Sequence, residues 1–295
     1  MVMRLARRFL TLISMLVLPM AVLAQGLDTS KIDQALGRSG QKLGDVYKVG
    51  FPRTDLHVTV HGLSIRPGLA LGSWAAFSGT EQNATVMGDL VLLQNELNPV
   101  MEKLRAAGFE IMAVHNHLLE ETPRVMYMHY MGQGNAAKLA ESLRAALAVS
   151  ETPLTKPGAA PAATAAPPAW VNTVEETIGR KGGYNGGVLA FGVPRAEAVS
   201  INGMRVAPPQ GVAESINFQE AGTGKVAATG DFVLTAGEVN PVISALEAHH
   251  VRVTALHSHM LMEQPRLFFM HFWAVGAPKP VAQGIKAALS HVATK

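Results

Sequence analysis

Residues 115–129 read H-N-H-L-L-E-E-T-P-R-V-M-Y-M-H, and residues 257–271 read H-S-H-M-L-M-E-Q-P-R-L-F-F-M-H, 142 positions later. What survives in both is H-x-H-x3-E-x-P-R-x4-H. Most intervening residues have drifted, while three histidines, a glutamate, a proline and an arginine have not. The first half of each string alternates like a strand, E-x-P is a turn, and the apolar run after it returns as the second strand of a hairpin.

The duplication extends outward from this hairpin. Leu36-Gly37-Arg38 matches Ile178-Gly179-Arg180, and Phe51-Pro52-Arg53 matches Val193-Pro194-Arg195. Gly88-Asp89 matches Gly230-Asp231, and Glu96-x-Asn98-Pro99-Val100 matches Glu238-x-Asn240-Pro241-Val242. Between the copies, 151–168 is rich in Pro, Ala and Thr and reads as an extended linker. The expected domains are 27–150 and 169–295.

Within each copy the pattern predicts β-rich chain followed by β-α-β-β-α. Val86–Leu93 is a strand, Asn98 caps a helix with Pro99 at its first position, and Gly108 ends it. The second copy has His250 at that last place. Phe109–His117 and Arg124–Met131 are the hairpin strands. A last helix, from Asn135 to Ala148, carries Leu139, Leu143 and Leu147 on one face, as Val281, Ile285 and Leu289 do later. The expected class is α+β: two tandem homologous domains with helices on one face of an antiparallel or mixed sheet. In the returning strand Val125, Tyr127 and His129 share one face and Met126, Met128 and Tyr130 the other. Both are apolar, so both need cover. Helices supply one, and the other repeat or a partner chain supplies the second.

Arg4, Arg7 and Arg8, an apolar stretch Phe9–Leu18 and Val22-Leu23-Ala24 read as a cleavable signal peptide, residues 1–24. The expected location is therefore periplasmic or secreted. The stretch is too short to span a membrane. Removing it takes the charge from 25 basic against 22 acidic residues to 22 against 22. That leaves no basic patch for nucleic acid. Cysteine is absent, which excludes disulfides, thiolate ligands and a lipid-modified N-terminal cysteine. At 48% hydrophobic residues, the chain can build real cores instead.

The candidate metal ligands are His115, His117, Glu121 and His129, with His257, His259, Glu263 and His271 in the second copy. Residues two apart on a strand point the same way, and the hairpin returns the third histidine beside the first two. Imidazole plus carboxylate suits a divalent transition metal: Zn, Mn, Fe, Ni or Cu. Three neutral imidazoles and one carboxylate leave such an ion one positive charge, and an open position would activate water. The competing reading makes the histidines structural or ligand-binding groups that hydrogen-bond backbone. Arg124 and Arg266 either clamp an anionic ligand or lock the turn by pairing with the glutamate. Asp89 and Asp231 read as turn or strand-edge residues, and Glu96 and Glu238 as helix-dipole partners. Three functions remain: a metal-binding protein, with or without catalysis; a non-catalytic module holding a small polar or anionic ligand between the repeats; or a purely structural protein. One shared site, one site per repeat and a homo-oligomer are all compatible with the repeat.

The two histidine strings, together with N-A-A-K-L-A-E-S-L-R-A-A-L after the first, resemble the LppY/LpqO family of exported bacterial proteins over nearly the whole mature chain. That family is uncharacterised, so the resemblance implies export but no substrate or reaction. Its mycobacterial namesakes look like lipoproteins; this chain departs from them in having no cysteine to acylate. The H-x-H-x3-E spacing is also similar to the first metal motif of cupins. The third histidine comes too early for that fold and helices interrupt the strands, which makes the likeness one of ligand geometry.

Overall fold

A computed structural model describes residues 26–155 and 166–295. The expected signal peptide, and most of the expected linker, lie outside them. The chain folds as two similar α+β units. The first contains α1 (Thr29–Leu36), β1 (Gln41–Leu43), β2 (Val46–Pro52), β3 (Thr59–Val60), β4 (Leu63–Ser64), α2 (Pro67–Ala70), β5 (Gly72–Gly79), β6 (Ala84–Leu93), α3 (Gln94–Ala106), β7 (Glu110–His115), β8 (Glu121–Thr122), β9 (Val125–Gly134) and α4 (Ala136–Leu147). The second contains α5 (Ala169–Ile178), β10 (Gly183–Asn185), β11 (Val188–Pro194), β12 (Val199–Ile201), β13 (Met204–Val206), a 3-10 turn (Pro208–Gln210), β14 (Ala213–Glu220), β15 (Val226–Leu234), α6 (Ala236–Ala248), β16 (Arg252–His257), β17 (Glu263–Gln264), β18 (Phe268–Gly276) and α7 (Pro278–Leu289).

Each unit has a six-stranded antiparallel sheet, β1-β2-β5-β6-β9-β7 and β10-β11-β14-β15-β18-β16, with a small three-stranded arm, β4-β3-β8 and β13-β12-β17. Helices α1, α3 and α4 cover one face of the first sheet, and α5, α6 and α7 one face of the second. Beneath the first set lie Val49, Phe51, Phe77, Leu90, Met128 and Tyr130. Phe218, Phe232, Met270 and Phe272 lie beneath the second. Met128 and Met270 therefore fill the helical cores and point away from the neighbouring histidines.

The opposite faces of the two sheets cover each other. On one side of this junction Val58, Ile65, Leu69 and Tyr127 pack with Val188, Ala227 and Trp273. On the other, Met87, Met112 and Met131 pack with Ile201, Val233, Met260 and Phe269. Each arm lies on the partner sheet: α2 touches β11, β14 and β15, and the 3-10 turn touches β2. Gln219 ties the two together by donating to the Ser64 carbonyl at 2.7 Å and accepting from the Arg66 N–H at 2.9 Å. The apolar second face of β9 and β18 is thus buried against the other repeat.

Three sequence expectations need correction. Helix α3 begins at Gln94, not after Asn98, and Pro99 lies inside it, as Pro241 lies inside α6. The reason is a tertiary clamp. Glu96 accepts the Leu93 N–H at 2.7 Å, closing the helix start, while fully buried Arg53 holds the same carboxylate at 2.7 Å and donates to the Val91 carbonyl. Arg195 and Glu238 repeat this. Next, β7 does not run with one face from Phe109 to His117. Its pairing with β9 shifts between Ile111 and Ala113, and that of β16 with β18 between Val253 and Ala255. The extra residue sends Ile111 toward the helices with Tyr130 and turns Ala113 and His115 to the junction with His129 and Tyr127. Finally, Asp89 and Asp231 are not at a turn or sheet edge. They sit mid-strand in β6 and β15, directly opposite His129 and His271. His250, at φ 57°, does adopt the left-handed place of Gly108.

Candidate metal centre

The bulges decide where the histidines go. They turn the ends of β7 and β16 to the junction, so all six motif imidazoles meet there. His115 stacks on its counterpart His257 with ring centroids 3.7 Å apart. His117 stacks on His271 at 3.8 Å, and His129 on His259 at 3.7 Å. Every one of these contacts crosses between repeats, so the site belongs to both. Thr254, the extra residue of the β16 bulge, donates its hydroxyl to the His117 carbonyl at 2.5 Å, and Asn116 donates to the Thr254 carbonyl at 3.2 Å.

The ring nitrogens are set for an acceptor role. His271 Nδ1 lies 3.0 Å from the Gly230 carbonyl, and His129 makes the equivalent bond to Gly88. A backbone acceptor fixes the Nδ1–H tautomer and leaves Nε2 as a lone-pair donor. In both residues Nε2 is buried with no hydrogen-bond partner, as are both ring nitrogens of His257 and His259. Four imidazoles, from His115, His257, His259 and His271, offer nitrogens that all lie within 4.8 Å of one another. His115 and His117 approach Nε2 to Nε2 at 3.1 Å. Buried polar atoms are normally satisfied, and this many orphans in one place mark a ligand site.

Electrostatics points the same way. Burial, reinforced by the neighbouring imidazoles, holds His115, His117, His259 and His271 well below the usual histidine range. Burial brings His129 down to about 3 and His257 to about 4. All six are neutral at pH 7, the form that binds metal. Burial also pushes the Asp89 carboxyl up to about 7 and Glu214 up to about 8, and raises Asp231 well above its ordinary value. Neutral imidazoles and carboxyls that resist ionisation surround a region where positive charge would be stabilised.

The cluster floors a cavity of about 760 Å³. His117, His129, His259, His271, Asp89 and Asp231 line it, with Lys48, Trp74 and Glu214 on its walls. The Lys48 ammonium lies 3.8 Å from the Trp74 ring centre and donates to the Pro209 carbonyl at 3.0 Å. Burial lowers its pKa to about 8.

The two motif glutamates and arginines are not part of the cavity lining. Glu263 accepts the Leu267 N–H at 3.1 Å and pairs with Arg266 at 3.3 Å. Arg266 also donates to Ser258 Oγ at 3.0 Å, tying the hairpin across its own turn. Glu121 is buried in arm strand β8 opposite Val60, and Arg124 is exposed. Sequence reading placed Asp89 and Asp231 at a turn or strand edge and passed over Lys48, Trp74 and Glu214. For the aspartates a signal existed. A carboxylate in the middle of an otherwise apolar strand is expensive, and both copies keep it.

Among the described residues, no helix is long and apolar enough to cross a membrane. No curated protein matches the chain. Among solved structures, it is similar at 12% identity to a trimeric bacterial microcompartment shell protein PduB, over 86% of this chain and 89% of that one, with a TM-score of 0.21. It is similar at 12% identity to EtuB from Clostridium kluyveri, over 85% and 90%, with a TM-score of 0.18. Scores this low carry no argument about fold, function or assembly. The family model described as Domain of Unknown Function (DUF1259) matches residues 30–149 and again 172–291. The chain belongs to that family and carries its domain twice.

Proposed function

We propose that this protein binds a divalent transition metal in a single interdomain site to which both repeats contribute. The observation that carries the reading is the convergence of six neutral imidazoles at the junction, five of them (His115, His129, His257, His259 and His271) with unpartnered, buried nitrogens. His115, His257, His259 and His271 are the central ligands. The nitrogen-rich donor set suits Zn, Fe, Ni or Cu better than Mg or Ca. The cavity lets a small polar ligand reach the metal. The protein works after export, as the leader and the resemblance to the LppY/LpqO proteins imply. Elemental analysis of the purified chain tests this beside His259→Ala and His271→Ala. Stoichiometric metal that both substitutions reduce severalfold is expected. Trace metal that is the same in all three samples would remove the reading.

A second reading, a non-catalytic module for a small anionic or polar ligand, is favoured by the cavity walls. Lys48 and Trp74 of the first repeat face the cavity where the second has Ala190 and Ser215. Asymmetric walls over a near-symmetric floor suit an asymmetric ligand. A thermal shift with small carboxylates that persists in chelator would support this reading over the metal one.

A further inference from the structure

We infer that the site holds two metal ions, one per repeat, and that Asp89 and Asp231 are their carboxylate ligands in place of the motif glutamates. This rests on the metal-binding reading and deepens it.

In the first repeat His117 Nε2 and His129 Nε2 lie 3.9 and 3.8 Å from the same oxygen, Asp89 Oδ2. In the second, His259 Nε2 lies 3.7 Å from Asp231 Oδ2; His271 comes to 3.8 Å of Asp231 Oδ1 through Nδ1, the nitrogen hydrogen-bonded to the Gly230 carbonyl, and keeps Nε2 as its free donor. These separations are too long for hydrogen bonds. For His117, His129 and His259 they match the carboxylate–imidazole spacing of a coordination shell instead: donors about 2.1 Å from one ion stand roughly 3 to 4 Å from each other. Each repeat thus presents two histidines and one carboxylate, a set that leaves coordination positions open. The open side is the cavity, which all six residues line. His115 and His257 stack on each other between the two sets, so each can complete either one.

Asp89 Oδ1 and Asp231 Oδ1 are buried without partners, as are the Nε2 atoms of His129, His259 and His271. The aspartate, histidine and bulge positions are duplicated together. Six imidazoles and two carboxylates make eight donor groups, more than one six-coordinate ion accepts. Two ions and two carboxylates leave net positive charge, which small anions entering the cavity would balance beside Lys48.

The test is stoichiometric and uses the full chain. Metal-free protein is titrated with Zn²⁺ by calorimetry and with Mn²⁺ by electron paramagnetic resonance. Saturation at two ions per chain is expected, with the Mn²⁺ signal of the second equivalent broadened by its neighbour. Asp89→Asn and Asp231→Asn, near-isosteric and checked for folding by circular dichroism, each reduce two equivalents to one. Glu121→Gln keeps two. Saturation at one ion in the unaltered chain overturns the two-ion centre and leaves the metal reading intact. Two ions in the chain and in both folded aspartate variants overturn the ligand assignment. No binding at all overturns both readings.

Discussion

His115 and His257 are the same residue of two repeats, and their rings lie face to face with centroids 3.7 Å apart. The flanking stacks His117–His271 and His129–His259 are each other's image under exchange of the repeats, as a local two-fold axis requires. The axis therefore runs through the histidine cluster, and both residues belong with His259 and His271 to a group of four that could hold one metal ion. His115→Ala and His257→Ala should each weaken metal binding about 10-fold or more, and the double variant by less than the product of the two, because contacting groups do not act independently. Calorimetric titration of the three variants checks it; strictly multiplicative losses would contradict a common site.

The Arg53 guanidinium is fully buried and is held by Glu96 and Asp55. Removing one partner of such a pair strands the other charge, at a cost of about 3–5 kcal/mol. Arg53→Met should therefore lower the melting temperature by roughly 6 °C or more, while the folded fraction keeps its metal content. Thermal denaturation with metal analysis of the same sample separates the two effects. Unchanged melting would mean that the clamp contributes nothing.

Gly88 and Gly230 precede the buried aspartates. A Cβ on Gly230 would collide with the Ser215 carbonyl, and one on Gly88 with the Trp74 carbonyl and the Tyr130 hydroxyl. Gly230→Ala should destabilise by about 1–3 kcal/mol and lower metal affinity by displacing Asp231 and the carbonyl that orients His271. A Cβ on Gly183 meets nothing within 4 Å, so Gly183→Ala should stay within about 0.5 kcal/mol of the parent. Urea unfolding curves of both variants decide this; equal stabilities would refute the close approach.

Burial pushes Glu214 up to about 8 from an ordinary 4.5, and Asp89 up to about 7 from 3.8. Folded protein then holds protons that the unfolded chain has lost, so stability falls as pH rises and the loss ends above the folded values. The imidazoles act in the opposite sense, because their folded pKa values lie below the ordinary 6.5. Their contribution is lost only as pH drops below about 6.5. Between pH 6.5 and 8 the carboxyls dominate, opposed only toward pH 8, where Lys48, lowered to about 8, starts to lose its proton. The melting temperature of metal-free protein should decline across that window, and Glu214→Gln should flatten much of the decline. A slope that the substitution leaves unchanged would show that Glu214 does not contribute to it.

Much of this was legible in the chain. The duplicated hairpin, the helix that Asn135 caps, the split of the returning strand into a His129 face and a Met128 face, and the need for a second apolar cover all follow from alternation and spacing. The motif glutamates show where such reading stops. Sequence proximity put them in the ligand set with the histidines; Glu263 instead holds Leu267 and Arg266 across its own turn. Asp89, 26 residues from His115, lies closer to the imidazoles because β6 pairs with β9.

Periodicity and repetition determined the elements and named the six histidines, because the side-chain direction on a strand is a local property with a period of two. Only the tertiary structure decided that β7 and β16 carry bulges that change face, that the two sheets bury each other, and that the histidines form one cluster instead of two. Those outcomes depend on cross-strand register and on apolar area shared between segments more than a hundred residues apart, and no local pattern encodes either.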